Sequence, residues 1–362
     1  MTDLATSAAP PFLRMARETP TVLWNDSATP SELSAAIGWG AVGATCNPVI
    51  ALAALRSDLP RWRQRIGEYA AEHPTASESD IGWAMVRELS VEAAALLTDA
   101  FAEHGGRNGR LSVQTDPRLY RDARALAAQA VEFDGLAENI IVKIPATGTG
   151  IRAMEEATYR GVSINATVSF TVPQAVAVAE AIERGLQRRE AEGLDVSAMG
   201  PVCTIMVGRL DDHLKAVAKH EVITVDPGVL EWAGVAVFKR AYEIYQERGF
   251  RTRLLSAAFR NHMHWSQFVG GDVVVSPPYD WQVRLNASGI EPVSRIDEPV
   301  NRAVLSALHD EFAEFRRAYD PDGMAIGEFE QYGATRRTLR QFLAATAELE
   351  SVVRDVLLPN PD

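Results

Sequence analysis

The sequence predicts an α/β chain closed into a (β/α)8 barrel, and three observations carry that prediction. Eight short β-rich runs alternate with longer amphipathic helical patterns. Most of the runs are nearly continuous apolar segments, as expected of strands buried on both faces of a parallel sheet. Polar residues collect where the runs end, at Asp26, Asn47, Gln114, Lys143, Asn165 and Thr167. Barrel enzymes carry their chemistry on that C-terminal rim.

The predicted strands are, in order, Thr21–Asp26, Ala41–Cys46, Arg110–Thr115, Asn139–Pro145, Val162–Phe170, Val202–Val207, Arg253–Phe259 and Asp272–Pro277. Between them Gln174–Arg188, Asp211–His220 and Gly234–Arg248 repeat apolar residues at helical spacing. The stretch from about 57 to 107, between strands two and three, reads as an added helical layer with caps at Ser77 and Ser90. The tail from about 300 to 362 reads as two or three helices packed on the barrel, with Asp320–Gly323 (DPDG) as a turn between them. No repeat, low-complexity tract or Gly/Pro/Ser-rich linker divides the chain, so residues 1–362 are expected to form one domain. The extra helices serve either to cover the barrel or to join copies of the chain into a homo-oligomer.

With 362 residues, 47% of them hydrophobic, the chain can bury a large core. Its net charge of −12 argues against nucleic acid as the principal partner, which needs a basic face. Small phosphorylated ligands remain compatible, because one or two placed arginines suffice for them. The two cysteines, Cys46 and Cys203, lie in apolar runs and form no disulfide framework. The opening residues MTDLATSAAPPFLRM lack the basic stretch and apolar run of a signal peptide, and no window reaches a spanning helix. A soluble, cytoplasmic protein with no membrane partner is expected.

Among 36 basic residues only four are lysines: Lys143, Lys215, Lys219 and Lys239. The last three fall in predicted helices and read as solvated faces. Lys143 lies inside the apolar run Ile140–Pro145, where its ammonium has to point into the barrel lumen. Burying a charge costs several kcal/mol unless it is paired. A desolvated lysine loses its proton more readily and becomes a nucleophile toward carbonyls. Two readings fit the pattern equally: a lysine in a buried ion pair or snorkelling at a strand end, and a Schiff-base lysine.

The run IVKIPATGTGIRAMEEATYRGVSINATVSFTVPQA resembles the central block of the transaldolases, and other blocks follow in family order: GATCNPVIALAAL, SVQTDPRLYRD, VGRLDDHL and SAAFRN. The resemblance runs from about residue 20 into the C-terminal helices. It implies class I aldol chemistry on sugar phosphates without metal or organic cofactor. Lys143 would form the Schiff base, and Asp26 would act as general acid/base during C–C cleavage. Asn47 and Asn165 would hold the hydroxyls of the three-carbon unit, and Thr167 a catalytic water. Arg209 and Arg260 would clamp the substrate phosphate. Each has a plainer reading from the residues alone. Asp26 also fits a helix N-cap with Ser27, Asn47-Pro48 a turn, and Arg209 an ion pair with Asp211 or Asp212. His262 and His264 lack a third placed ligand and do not make a metal site.

Three positions depart from the family pattern. Gln114 stands where transaldolases carry a water-orienting glutamate, as in the small fructose 6-phosphate aldolases; it cannot exchange a proton at neutral pH. Ala258 replaces a phosphate-side serine, with Ser256 two residues earlier expected on the same strand face. Thr204, followed by Ile205 and Met206, alters the sugar-binding mouth. The resemblance thus implies transfer of a dihydroxyacetone unit from a ketose phosphate such as sedoheptulose 7-phosphate or fructose 6-phosphate. An aldolase or transferase acting on an unusual sugar, and a non-catalytic sugar-phosphate-binding barrel, are the competing readings.

Overall fold

The structure is a computed structural model and describes residues 9–361. Most of the segment on which the signal-peptide reading rests, residues 1–8, lies outside the described residues. Eight parallel strands form a closed barrel in chain order. They are β1 (Val22–Asn25), β2 (Ala41–Thr45), β3 (Arg110–Gln114), β4 (Ile140–Pro145), β5 (Ile164–Ser169), β6 (Val202–Ile205), β7 (Arg253–Ala257) and β8 (Val274–Ser276). Each lies within the run the sequence predicts. The barrel closes where β1 meets β8, with Val22 opposite Val274 and Leu23 opposite Val275.

Two apolar layers follow from the period-2 alternation of strands. Outward residues such as Leu111, Val142, Ile144, Ala166 and Cys203 join the large core between barrel and helices. Inward residues Trp24, Ile141, Val202, Leu255, Ala257 and Val274 form a separate cluster filling the lumen. Trp24 takes its place only because Gly43 faces it: a Cβ there would lie 2.5 Å from the indole. Below this layer, buried Arg110 donates to the carbonyls of Gly106 and Ile140, at 2.7 and 3.0 Å. Arg253 donates to the carbonyl of Arg107 and to Asn108 Oδ1, both at 2.9 Å. The floor of the barrel is thereby closed.

After helix Pro48–Ser57, the predicted insertion between β2 and β3 consists of helices Leu59–Glu72, Glu78–Ala95 and Thr98–Glu103. Ser77 caps as expected, in a reciprocal pair with Asp80. Ser90 does not: it lies inside Glu78–Ala95, where its hydroxyl donates to the Val86 carbonyl at 2.7 Å and leaves the helix unbroken. The tail forms helices Arg302–Glu311, Ala313–Tyr319 and Gly333–Leu357, the first two separated by extended backbone at Phe312. Lys239, expected in solvent, is buried, and its ammonium donates to the carbonyls of Arg295 and Glu298, each at 2.6 Å. Among the described residues no helix is long and apolar enough to cross a membrane.

Candidate active site

Two residues past the apolar layer, four strands turn polar on the same inward face. Asp26 follows Trp24, Lys143 follows Ile141, Thr204 follows Val202 and Ser276 follows Val274. Alternation therefore carries Lys143 into the lumen, above a hydrophobic bed, and buries all but 4% of it. Gln114, Lys143 and Asn165 are register partners on neighbouring strands and stand side by side.

No described side chain lies within hydrogen-bond or ion-pair distance of the Lys143 amine. Burial pushes its pKa below the usual lysine value, against the pull of the Asp26 charge. Asp26 sits at the first strand end and keeps part of its surface open to the mouth. Burial pushes its pKa up, while Lys143, the Thr45 hydroxyl hydrogen bond and Arg209 pull it down. The same dry environment thus moves amine and carboxylate toward their neutral forms. Asp26 is not a helix cap; it accepts from Thr45, and Ser27 bonds to Glu32 instead.

Asn165 is held on both sides: its Nδ2 donates to Ser112 Oγ at 2.8 Å and its Oδ1 accepts from Thr204 at 2.7 Å. Thr167 lies two residues on, buried on the same face. Asn47 Oδ1 caps helix Pro48–Ser57 by accepting from the amides of Val49 and Ile50, at 2.9 and 3.0 Å. Its turn chemistry is real, and the side-chain NH2 is the part left for a ligand. Buried polar atoms without a partner among the described residues include both amide atoms of Gln114 and Ser276 Oγ. Unpaired buried groups are costly, and these suit a hydroxyl-rich ligand.

Ser256 is not brought to the site. It alternates with the inward Leu255 and Ala257, so it faces outward, and its hydroxyl donates to the His264 carbonyl at 2.9 Å. The expectation of a shared face with Ala258 fails because Ala258 adopts left-handed backbone, φ 62°, which breaks the alternation after Ala257.

At the lip, Arg209 and Arg260 line one pocket of about 370 Å³. Arg209 does not pair with Asp211 or Asp212. Its Nη1 donates to Thr338 and Gln341, at 3.2 and 2.6 Å, and its Nε is buried without a partner among the described residues. Arg260 pairs with Asp212, Nε to Oδ2 at 2.9 Å. Asp211 is fully buried against His264 instead. The Arg260 backbone N–H donates to His264 Nδ1 at 3.0 Å, which places the ring proton on Nε2, 2.8 Å from Asp211 Oδ2. Asp211 Oδ1 accepts from the Gly234 amide at 2.8 Å.

Two groups of residues were not read as functional from the sequence. The C-terminal helix Gly333–Leu357 lends the pocket Ala334, Arg337, Thr338 and Gln341. Gln174 is buried where three elements meet: Nε2 donates to the carbonyls of Ala146 and Val168, at 2.9 and 3.1 Å, and Oε1 accepts from the Phe170 amide at 3.0 Å. Its place in the run FTVPQA was the only sequence signal. Cys46 and Cys203 are free and buried, and burial pushes both thiols up to about 12.

Fold and site together define a (β/α)8 barrel with a lone desolvated lysine and a carboxylate in its lumen and arginines at its lip. A family model described as transaldolase/fructose-6-phosphate aldolase matches residues 23–321, and the chain belongs to that family. It is 34% identical over 211 residues to "Transaldolase 1" of Streptomyces avermitilis, covering 57% of this chain and 54% of that protein. Over 229 residues it is 31% identical to "Transaldolase 1" of Streptomyces coelicolor, 61% of this chain and 58% of that one. The match to the "Transaldolase" of Thiobacillus denitrificans is 27% over 314 residues, 79% and 84% of the two chains. The chain thus spans little more than half the length of the two Streptomyces relatives it matches.

Proposed function

We propose that the protein is a transaldolase that moves a dihydroxyacetone unit between sugars through a Schiff base on Lys143. The observation that carries this reading is the lone lysine in the lumen, its pKa lowered by burial and its charge facing Asp26. An amine so placed attacks the C2 carbonyl of a ketose and loses water to give the iminium. Asp26 then takes the proton of the C4 hydroxyl as the C3–C4 bond breaks, and the bonding electrons pass into the enamine on Lys143. In the return direction the enamine attacks the acceptor aldehyde, and Asp26 gives the proton back to the new hydroxyl.

Asn165, fixed by Ser112 and Thr204, and the Asn47 amide orient the three-carbon unit. Thr167 and Gln114 hold the water that forms and hydrolyses the imine. Arg209 and Arg260 take the phosphate of donors such as fructose 6-phosphate or sedoheptulose 7-phosphate. Residues 1–362 act as one unit, with the 57–107 insertion and the 300–362 tail as additions to the barrel, in the cytoplasm and without a metal. Borohydride trapping with fructose 6-phosphate, followed by peptide mapping, is the test. A reduced adduct on Lys143, absent in Lys143→Met, is expected; no adduct on this residue overturns the proposal.

Gln114 favours one second reading, an aldolase that sets dihydroxyacetone free, because its amide cannot shuttle a proton. Measuring dihydroxyacetone release with and without an acceptor aldose separates the two. Turnover that requires the acceptor rules the aldolase out.

A further inference from the structure

The geometry points to Arg337, on the C-terminal helix, as a specificity-determining residue that recognises a dianionic phosphate monoester together with Arg209 and Arg260. This rests on the proposed sugar-phosphate chemistry and names how its phosphate end is read. The three guanidinium groups line one pocket whose sole acidic lining residue is Asp212. Three positive charges against one negative leave an excess of two, the charge of a phosphate monoester above its second ionisation.

The pocket carries the signs of a site built for an anion. Burial and the neighbouring Arg260 charge press the Arg209 pKa down, so two like charges are held together, and the pocket's carboxylate pairs with Arg260 alone. The buried Nε of Arg209 has no partner among the described residues, although its Nη1 is anchored by Thr338 and Gln341. Most arginines on this acidic surface sit in ion pairs, such as Arg65 with Glu88 and Arg251 with Glu183. Arg337 forms no ion pair or side-chain hydrogen bond among the described residues and opens onto the pocket. Arg209 also lies near enough to Asp26 to act on its ionisation. The charge at the lip is thus felt at the lysine end of the lumen.

The position answers the loss of the hydroxyl at residue 258. Ser256 cannot replace it, since its side chain faces away from the lumen. A guanidinium reaching down from the helix supplies charge and paired donors in its stead.

Affinities for fructose 6-phosphate, fructose and inorganic phosphate, measured by calorimetry on wild type, Arg337→Ala and Arg337→Lys, test the assignment. Losing one charge-assisted contact lowers affinity about tenfold to a hundredfold. Arg337→Ala should cut the preference for fructose 6-phosphate over fructose by that factor and weaken inorganic phosphate in parallel. Arg337→Lys should recover only part of it, because an ammonium lacks the planar fork. An unaltered preference in Arg337→Ala, with its fold intact by circular dichroism, overturns the inference. Borohydride trapping on Lys143 is read separately, so failure of the phosphate contact and failure of the Schiff base are told apart.

Discussion

Val168 stands in left-handed backbone at φ 52°, and the side-chain amide of Gln174 donates to its carbonyl at 3.1 Å. A β-branched residue adopts this region only where its surroundings over-determine it. The strained turn coincides with the register break between β5 and β6, just past Thr167. Gln174→Leu leaves the carbonyls of Ala146 and Val168 and the Phe170 amide buried without partners. It should lower unfolding free energy by about 3 kcal/mol in urea titrations. A loss below about 1 kcal/mol would show that the bulge holds itself.

His264 links Arg260 to Asp211, and its two ring nitrogens can be tested apart. Asparagine places an acceptor near the position of Nδ1, and glutamine a donor near that of Nε2. His264→Asn should keep the acceptor for the Arg260 amide and so hold KM for fructose 6-phosphate within about threefold. His264→Gln should keep the Asp211 link, lose the acceptor, and raise KM about tenfold, one charge-assisted contact misplaced. Equal KM values in the two variants would reduce His264 to a packing residue.

Lys143 holds a pKa below its unfolded value, so the folded state resists its protonation. The stability it contributes is present above the ordinary lysine pKa of 10.5 and is lost as pH falls through the lowered folded value. At neutral pH the burial of this amine therefore works against folding. Lys143→Met should raise unfolding free energy by about 1 kcal/mol near pH 7, at the expense of all Schiff-base trapping. The gain should shrink as pH rises toward 10.5. A constant gain across that window would mean that the methionine acts by packing alone. Asp26 runs the other way: its raised pKa makes its carboxylate form give out on the acid side earlier than an ordinary aspartate. The acid limb of kcat/KM should sit above the usual carboxylate value of 3.8 and disappear in Asp26→Asn.

Gln114 and Lys143 are register partners, so Gln114→Glu places a carboxylate beside the amine. An opposite charge at that distance favours the ammonium. Borohydride trapping followed against pH should move its rise to higher pH in the variant, while water-dependent hydrolysis of the imine speeds up. No displacement of the trapping profile would show that the Gln114 side chain does not act on the amine.

The barrel was legible in the sequence because alternation and strand length act locally. Eight apolar runs became eight strands, and the place of Lys143 two residues past Ile141 fixes which way it points. Ser256 was misread because counting by twos assumes unbroken extended backbone, and Ala258 leaves it. Lys239 was misread because its partners are carbonyls far along the chain, which composition does not reveal. Ser90 resembled a cap but bonds back within one helix. The part played by Arg337, Thr338 and Gln341 was hidden for a related reason. Helical periodicity says that Gly333–Leu357 buries one face, and is silent on what that face meets.

The plugged floor has a kinetic consequence. Trp24 seated over Gly43 and the arginines bonded at the strand starts close the floor of the lumen among the described residues. Under the proposed transfer, both sugars reach Lys143 from the rim end. The first aldose has to depart by the route its replacement takes, so the two exclude each other. If the proposed transfer holds, each sugar should act as a competitor of the other for the same vestibule.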